Sequence, residues 1–285
     1  MKKIFVLFML LTAAAVFGNT PPQSVVMESG NLKVRLDGRK FWNINRIEWE
    51  GQLVGVDQTG AHYGVAYQPE GSKFFIGSGH DESGRSEKLN SIRFFIDDRQ
   101  EMPVKSPIIR AAVVGMEKES QIADFKVRYR FFIDHNILHE RVEISAGNDV
   151  KVNFLYPFMH PWSTRFTDYF GVGESGRTLN IKFKSDGSFP NRNYLDYGVW
   201  YDEKSGIGVA SLITPESGEK SLRRFLWDRP NYRKDYLCDY AHAVFPAGHT
   251  AIYISHTAFF RQEDKTKWHE TAMNLLERLK EEAKR

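Results

Sequence analysis

Between Phe125 and Ala146 the chain alternates apolar and polar residues over two runs joined by a turn. Phe125, Val127, Tyr129 and Phe131 are interleaved with Lys126, Arg128 and Arg130. Successive side chains of a strand point to opposite faces, so a period of two describes a strand with one buried face and excludes an amphipathic helix. Asp134-His135-Asn136 is a turn signal, and residues 137–146 return as the hairpin partner. Leu32, Val34 and Leu36 alternate with Lys33 and Arg35 and stop at Asp37-Gly38. Further strands are expected at 89–96, 108–114, 150–158, 179–183, 206–213 and 250–260, separated by polar and glycine-containing turns. A series of strands with no helical period between them predicts an all-β antiparallel sandwich.

One helix is expected near the C-terminus, over 265–284. Trp268, Ala272, Leu275, Leu276 and Leu279 recur at helical spacing and form one apolar stripe. Asp264 or Thr266 caps its start, and Glu277 and Glu281 stand before Lys280, Lys284 and Arg285 at ion-pairing spacing. With no internal repeat or low-complexity linker, residues 19–263 read as one β-sandwich domain. The helix at 264–285 lies on or beside it and offers a surface to a protein partner.

Lys2 and Lys3 precede an apolar run from Ile4 to Leu11, then Ala13, Ala14, Ala15 and Val16-Phe17-Gly18. This is the pattern of a secretory signal peptide at 1–18, cut after Gly18, with Ala15 as the other cleavage position. The run is short for a bilayer span of about 20 residues, and no second run follows. The expected location is the periplasm or the exterior, with no transmembrane segment after signal removal. Loss of Lys2 and Lys3 takes the formal charge from +3 to +1, and no Lys/Arg cluster supports nucleic-acid binding. Cys238 is the single cysteine, so no intramolecular disulfide forms. A mature chain of about 265 residues buries enough core to dispense with such staples.

Residues 124–162 resemble the middle of the galactose mutarotase-like supersandwich family. The shared parts are a long strand (125–133), a turn, a second strand (137–146), a small polar turn, Val152-Asn153, and His160-Pro161-Trp162. Phe245-Pro246-Ala247-Gly248-His249-Thr250 is similar to a second family segment. An acidic catalytic base stands about twenty residues before that segment in the family, close to where Asp228 falls. The resemblance implies a supersandwich fold, a carbohydrate ligand and proton transfer at a sugar ring. Epimerases of the family place a histidine four residues after the Val-Asn asparagine. That position is Pro157 here, and His160 comes seven residues after Asn153. On a regular strand those two positions face opposite ways, so His160 takes the role only through a bulge or a shifted register.

Four segments hold residue types suited to this chemistry. In Tyr156-Pro157-Phe158-Met159-His160-Pro161-Trp162 the prolines end a strand and present His160 and Trp162 at an edge or mouth. There His160 would move protons and Trp162 would stack on a sugar; a core-packing loop is the alternative. The segment 223–233 combines Arg224, Trp227, Asp228 and Arg229. Guanidinium forks bind carboxylates, and Asp228 is either a base or the ion-pair partner of Arg224 or Arg229. The glycine-rich segment 77–87 offers His80, Glu82 and Arg85 to a polar substrate. Tyr201, in Trp200-Tyr201-Asp202, is a phenolic acid/base or a core residue, and His62-Tyr63 is a weaker candidate. No nucleophile elbow, zinc-protease motif or dinucleotide fingerprint occurs, so neither cofactor nor metal is expected. The reading is an epimerase or a lyase of acidic polysaccharides, with His160, Asp228 and Tyr201 as proton shuttles. Its alternative is a non-catalytic glycan-binding or structural module.

Overall fold

Period-two alternation gives each sheet one apolar face, and the two apolar faces meet. The computed structural model describes residues 23–56, 62–80, 87–97, 99–101, 107–173, 176–215 and 222–283. The signal peptide expected at 1–18 lies outside them. The chain begins in a first sheet with β1 (Ser24–Ser29), β2 (Leu32–Asp37), β3 (Asn43–Trp49), β4 (Gln52–Val56), β5 (Gly64–Pro69) and β6 (Ile76–Gly77). It enters a second sheet with β7 (Glu87–Ile96) and β8 (Arg99–Glu101), and touches the first again at β9 (Ile108–Arg110). The second sheet then takes β10 (Val113–Ile122), β11 (Phe125–Asp134) and β12 (Ile137–Ala146), before β13 (Val150–Trp162) returns to the first. β14 (Asp168–Val172), β15 (Thr178–Lys182), β16 (Tyr197–Asp202) and β17 (Ile207–Pro215) extend the second sheet. β18 (Arg223–Asp228), β19 (Arg233–Cys238) and β20 (Ala241–Phe245) extend the first, and β21 (Thr250–Arg261) closes the second.

The first sheet runs β18-β19-β13-β4-β3-β2-β1-β9, with β5 and β20 also on β13. The second runs β15-β14-β16-β17-β21-β12-β11-β10-β7-β8. Pairing is antiparallel except between β1 and β9. The architecture is thus an antiparallel supersandwich with one C-terminal helix. Its core lies between the sheets and includes Val34, Ile47, Leu155 and Leu237 from one side and Phe131, Val142, Val209 and Trp200 from the other. Residues 108–114, expected as one strand, divide between β9 and β10 and so between the two sheets.

β13 corrects the expectation drawn from its prolines. The strand continues through both, and His160 and Trp162 are buried rather than presented at a mouth. Its register against β5 shifts twice, between Val152 and Phe154 and between Tyr156 and Met159. Pro157 sits in the second shift, where a bulge leaves a residue outside the ladder. Pro161 falls where the partner on that side changes from β5, last paired at Met159–Gly64, to β4, paired at Trp162–Gly55. The Tyr63 hydroxyl donates to the Pro161 carbonyl there. Beyond the second shift, His160 faces the core beside Tyr63 and Phe158.

The helix α1 (Trp268–Ala283) covers the outer face of the second sheet. Its stripe of Trp268, Ala272, Leu275, Leu276 and Leu279 packs on Tyr197, Val199, Tyr201, Ala210 and Leu212. Burial of each large apolar side chain stabilises the docking by roughly 1.5–3 kcal/mol as an upper estimate. Asp264 accepts hydrogen bonds from the amide and hydroxyl of Thr266 and shapes the turn into the helix. The apolar stripe of the helix is therefore occupied by the chain's own sheet. Among the described residues no helix is long and apolar enough to cross a membrane.

Candidate functional site

The outer face of the first sheet carries a second aromatic cluster, built by strand alternation. Arg224, Leu226 and Asp228 of β18 point inward, which turns Arg223, Phe225 and Trp227 outward. In β19, Asp235 and Leu237 point inward, and Lys234, Tyr236 and Cys238 outward. The two register shifts of β13 put Phe154, Tyr156 and Met159 on this same outer side, against Ala66 of β5.

The rings form one packed cluster, in which Tyr156 and Tyr236 are buried and Phe75, Phe154 and Phe225 are partly exposed. Tyr156 lies 5.4 Å from Phe75, 5.9 Å from Phe225 and 5.5 Å from Tyr236, centroid to centroid. The His62 amide donates to the Tyr236 hydroxyl at 3.3 Å. The His62 ring stands edge-on to His80 at 5.0 Å, and Phe75 borders His80 at 5.6 Å. Gly77 brings the chain back to this place: its φ is +133°, and a Cβ there would lie 2.3 Å from the Val65 carbonyl oxygen, so only glycine fits.

At the other end of the face, Lys234 Nζ sits 3.8 Å above the Tyr236 ring and 5.0 Å from the Trp227 ring. Burial, and secondarily the Arg229 guanidinium, push the Lys234 ammonium down to about 7, against the pull of the two π faces, which favour the charged form. Trp227 donates its indole N–H to the Gly187 carbonyl at 2.7 Å and stacks on Phe189 at 4.4 Å. Tyr156 has its phenol pushed far up by burial, first, and by Cys238, with Arg192 opposing. Burial likewise raises the Cys238 thiol to about 12, so neither is an anion at neutral pH. The face combines rings for stacking with ammonium, imidazole and guanidinium groups for polar contacts.

His80, Trp227 and Arg229 are the residues foreseen from sequence that stand on this face; Glu82 and Arg85 lie outside the described residues. The expected proton shuttle does not assemble. His160 is 2% exposed, and its Nε2 lies 2.8 Å from Glu140 Oε2 of the second sheet. Trp162 packs in the core against Trp200 and Phe259. Asp228 is buried, pairs with Arg233 rather than Arg224 or Arg229, and accepts the amides of Lys184 and Ser185 at 2.6 and 2.8 Å. Arg224 is wholly buried, pairing with Asp235 at 2.9 Å and donating to the Ser211 carbonyl at 2.9 Å. Burial raises the Asp235 carboxyl, with Arg224 and His160 opposing. Tyr201 belongs to the opposite sheet, where its hydroxyl donates to the Gln262 carbonyl at 2.6 Å and its ring stacks on Trp268. A carboxylate, an imidazole and a guanidinium between two sheets are tolerable only when paired, and each has its own buried partner: Arg233 for Asp228, Glu140 for His160 and Asp235 for Arg224.

Tyr156, Phe225, Lys234 and Tyr236 escaped the sequence reading as site residues. Their signal is the alternation within 223–228 and 233–238, which sorts each segment into an inward and an outward set.

The fold defined by these two sheets is that of the galactose mutarotase-like supersandwich. A protein of Escherichia coli K12 provisionally designated an aldose 1-epimerase is similar to this chain at a TM-score of 0.52 and 8% identity, over 84% of this chain and 99% of that one. The Slr1438 protein of Synechocystis sp. PCC 6803 matches at 0.52 and 7% identity, over 85% and 96%. The α-N-acetylgalactosaminidase NagBb of Bifidobacterium bifidum matches at 0.53 and 10%, over 89% of this chain and 38% of the enzyme. These likenesses are of fold, which hosts more than one function. No protein-family model matches the sequence. No curated protein matches it.

Proposed function

We propose that this is an exported carbohydrate-active protein that binds a glycan on the outer face of its first sheet. The observation that carries the reading is the set of accessible rings on this face, Phe75, Phe225, Trp227, Phe189 and Tyr194, backed by the buried Tyr156 and Tyr236 and bordered by Lys234, His62 and His80. Sugars present C–H faces that stack on rings and hydroxyls that need polar partners, and this surface offers both. Support for export comes from Lys2-Lys3, the apolar run and the small residues before Asn19. The test is binding of the full chain to a panel of soluble polysaccharides by affinity electrophoresis. Retardation by at least one polymer, weakened in Trp227→Ala and Phe189→Ala, is expected; no retardation across the panel would refute the reading. Release of a chain beginning near Asn19 from the periplasm or medium, read by N-terminal sequencing, tests export.

A second reading, acid–base chemistry at the sugar ring, draws on the same face. His62 and His80 stand edge to face, and Lys234 titrates near neutrality, so proton carriers border the ring surface. This version predicts epimer exchange or unsaturated products that disappear in His80→Ala, whereas a binding module leaves every polymer chemically unchanged.

A further inference from the structure

Elsewhere on the surface several arginines meet carboxylates. Arg46 pairs with Glu48, Arg110 with Glu28, Arg128 with Glu117 and Arg261 with Glu50. On the ring face the arrangement differs. Arg192 lies over Phe189 at 4.4 Å, Arg223 over Tyr194 at 5.1 Å, Arg229 over Trp227 at 4.1 Å, and Lys234 over Tyr236 at 3.8 Å. Among the described residues none of these four cations has an ion-pair partner. The nearby carboxylates are committed elsewhere: Asp228 to Arg233 and Asp235 to Arg224 inside the sandwich, Asp186 to the Ser188 amide, and Asp239 to the Tyr253 hydroxyl.

The four border one ring cluster. Arg229 disfavours the charge on Lys234, and Arg192 and Arg223 act on Tyr156 and Cys238 of the same cluster. A ring face holds a guanidinium in place for about 0.5–1 kcal/mol at an exposed site and leaves its N–H fork free at the edge. Such a fork matches a carboxylate or sulfate in geometry as well as charge. A neutral sugar would stack on the rings and leave four like charges uncompensated.

We infer that the glycan of this face is anionic, a polymer of uronic acids or sulfated sugars whose acid groups pair with Arg192, Arg223, Arg229 and Lys234. The inference rests on the proposed glycan binding and adds the charge of the ligand. Rings and cations together also suit single-stranded nucleic acid. The patch is confined to the end of one sheet, and the chain without Lys2 and Lys3 has a formal charge of only +1, which favours the glycan.

The test measures affinity of the full chain for polygalacturonate, the same polymer methyl-esterified, dextran, dextran sulfate and oligothymidylate. The acidic member of a pair is expected to bind at least about tenfold more tightly than its neutral counterpart, with affinity falling as salt rises. Arg192→Gln with Arg229→Gln should abolish that preference while binding to the esterified polymer persists, and the double Lys variant should restore most of it. Preference for dextran sulfate alone identifies sulfate as the anion; preference for polygalacturonate alone identifies the carboxylate. Equal affinity within both pairs, unchanged by the Gln substitutions, overturns the anionic assignment and leaves glycan binding standing. No binding to any polysaccharide, or tighter binding to oligothymidylate than to every polysaccharide, overturns both.

Discussion

His160 Nε2 and Glu140 Oε2 stand 2.8 Å apart across the space between the two sheets. The Tyr129 hydroxyl donates to the other Glu140 oxygen at 2.7 Å, so three strands share one buried polar link. Removing one member of such a link leaves the other buried without compensation, at a cost of about 3–5 kcal/mol. His160→Ala and Glu140→Gln are each expected to lower the urea midpoint by an amount in this range. Affinity for a polysaccharide, measured on the variant that remains folded, should stay within about twofold of wild type, because His160 points away from the ring face. A stable variant that has lost binding would return His160 to the site.

A second enclosed pair lies between β10 and β7 of the second sheet and reaches the first through Asn43 and Ser78. Lys118 Nζ lies 2.5 Å from Glu87 Oε1 and 2.6 Å from Asn43 Oδ1, and the Ser78 hydroxyl donates to Glu87 Oε2 at 3.0 Å. Burial pulls the Lys118 ammonium down, with Glu87 opposing. Burial alone would raise the Glu87 carboxyl, but Lys118 and its hydrogen bonds hold it below its ordinary value. Lys118→Met should cost about 3–5 kcal/mol, and adding Glu87→Leu should recover much of that loss. Additive losses in this cycle would show that the pair is not coupled. Because Ser78 carries the chain toward His80, amide exchange near residues 77–80 should accelerate in Lys118→Met.

The hairpin of β11 and β12 was legible because each strand has one wet face, and the hairpin's limits match those read from the alternation. β16 was legible only at its end, Trp200-Tyr201-Asp202 before the strand at 206–213, since Tyr197–Asp202 is buried on both sides, between the core and α1, and shows no alternation. β18 and β19 hid for a different reason. Their inward set contains Arg224, Asp228, Arg233 and Asp235, polar residues that read as surface chemistry until a partner across the core is known. The site suffered from the same ambiguity. Period two identifies two faces but does not say which is inside when both carry charges and rings, and the two register shifts of β13 move the inward set from Val152 to Leu155 and then to Phe158 and His160.

On the outer face of the second sheet, His139 Nδ1 lies 2.7 Å from His256 Nδ1, and Phe132 stacks on His139 at 4.5 Å. Burial, with His256 adding to it, lowers His139 from 6.5 to about 4. The unfolded chain therefore takes up a proton first as the solution acidifies. Stability from this group is complete above about pH 6.5 and is lost as pH falls toward about 4, by on the order of 2–3 kcal/mol. His139→Gln should flatten that part of the stability profile between pH 7 and 4. Parallel profiles for the two proteins would assign the acid sensitivity to other groups.

The Lys234 ammonium, lowered to about 7 by burial and by Arg229, gives the ring face a pH signature of its own. Below pH 7 Lys234 is charged and attracts an anion; above it the attraction is lost, while uronate carboxylates stay ionised throughout. Affinity for polygalacturonate at constant ionic strength should fall about three- to tenfold between pH 6 and pH 8. His62 and His80 border the same face, so the control must isolate the lysine. Lys234→Met keeps a side chain that packs on Tyr236 and Trp227 and removes the titrating charge. Its affinity at pH 6 should resemble that of wild type at pH 8, with little further change between the two pH values. If wild type and Lys234→Met show the same slope, the pH response belongs to the imidazoles and Lys234 does not contact the anion.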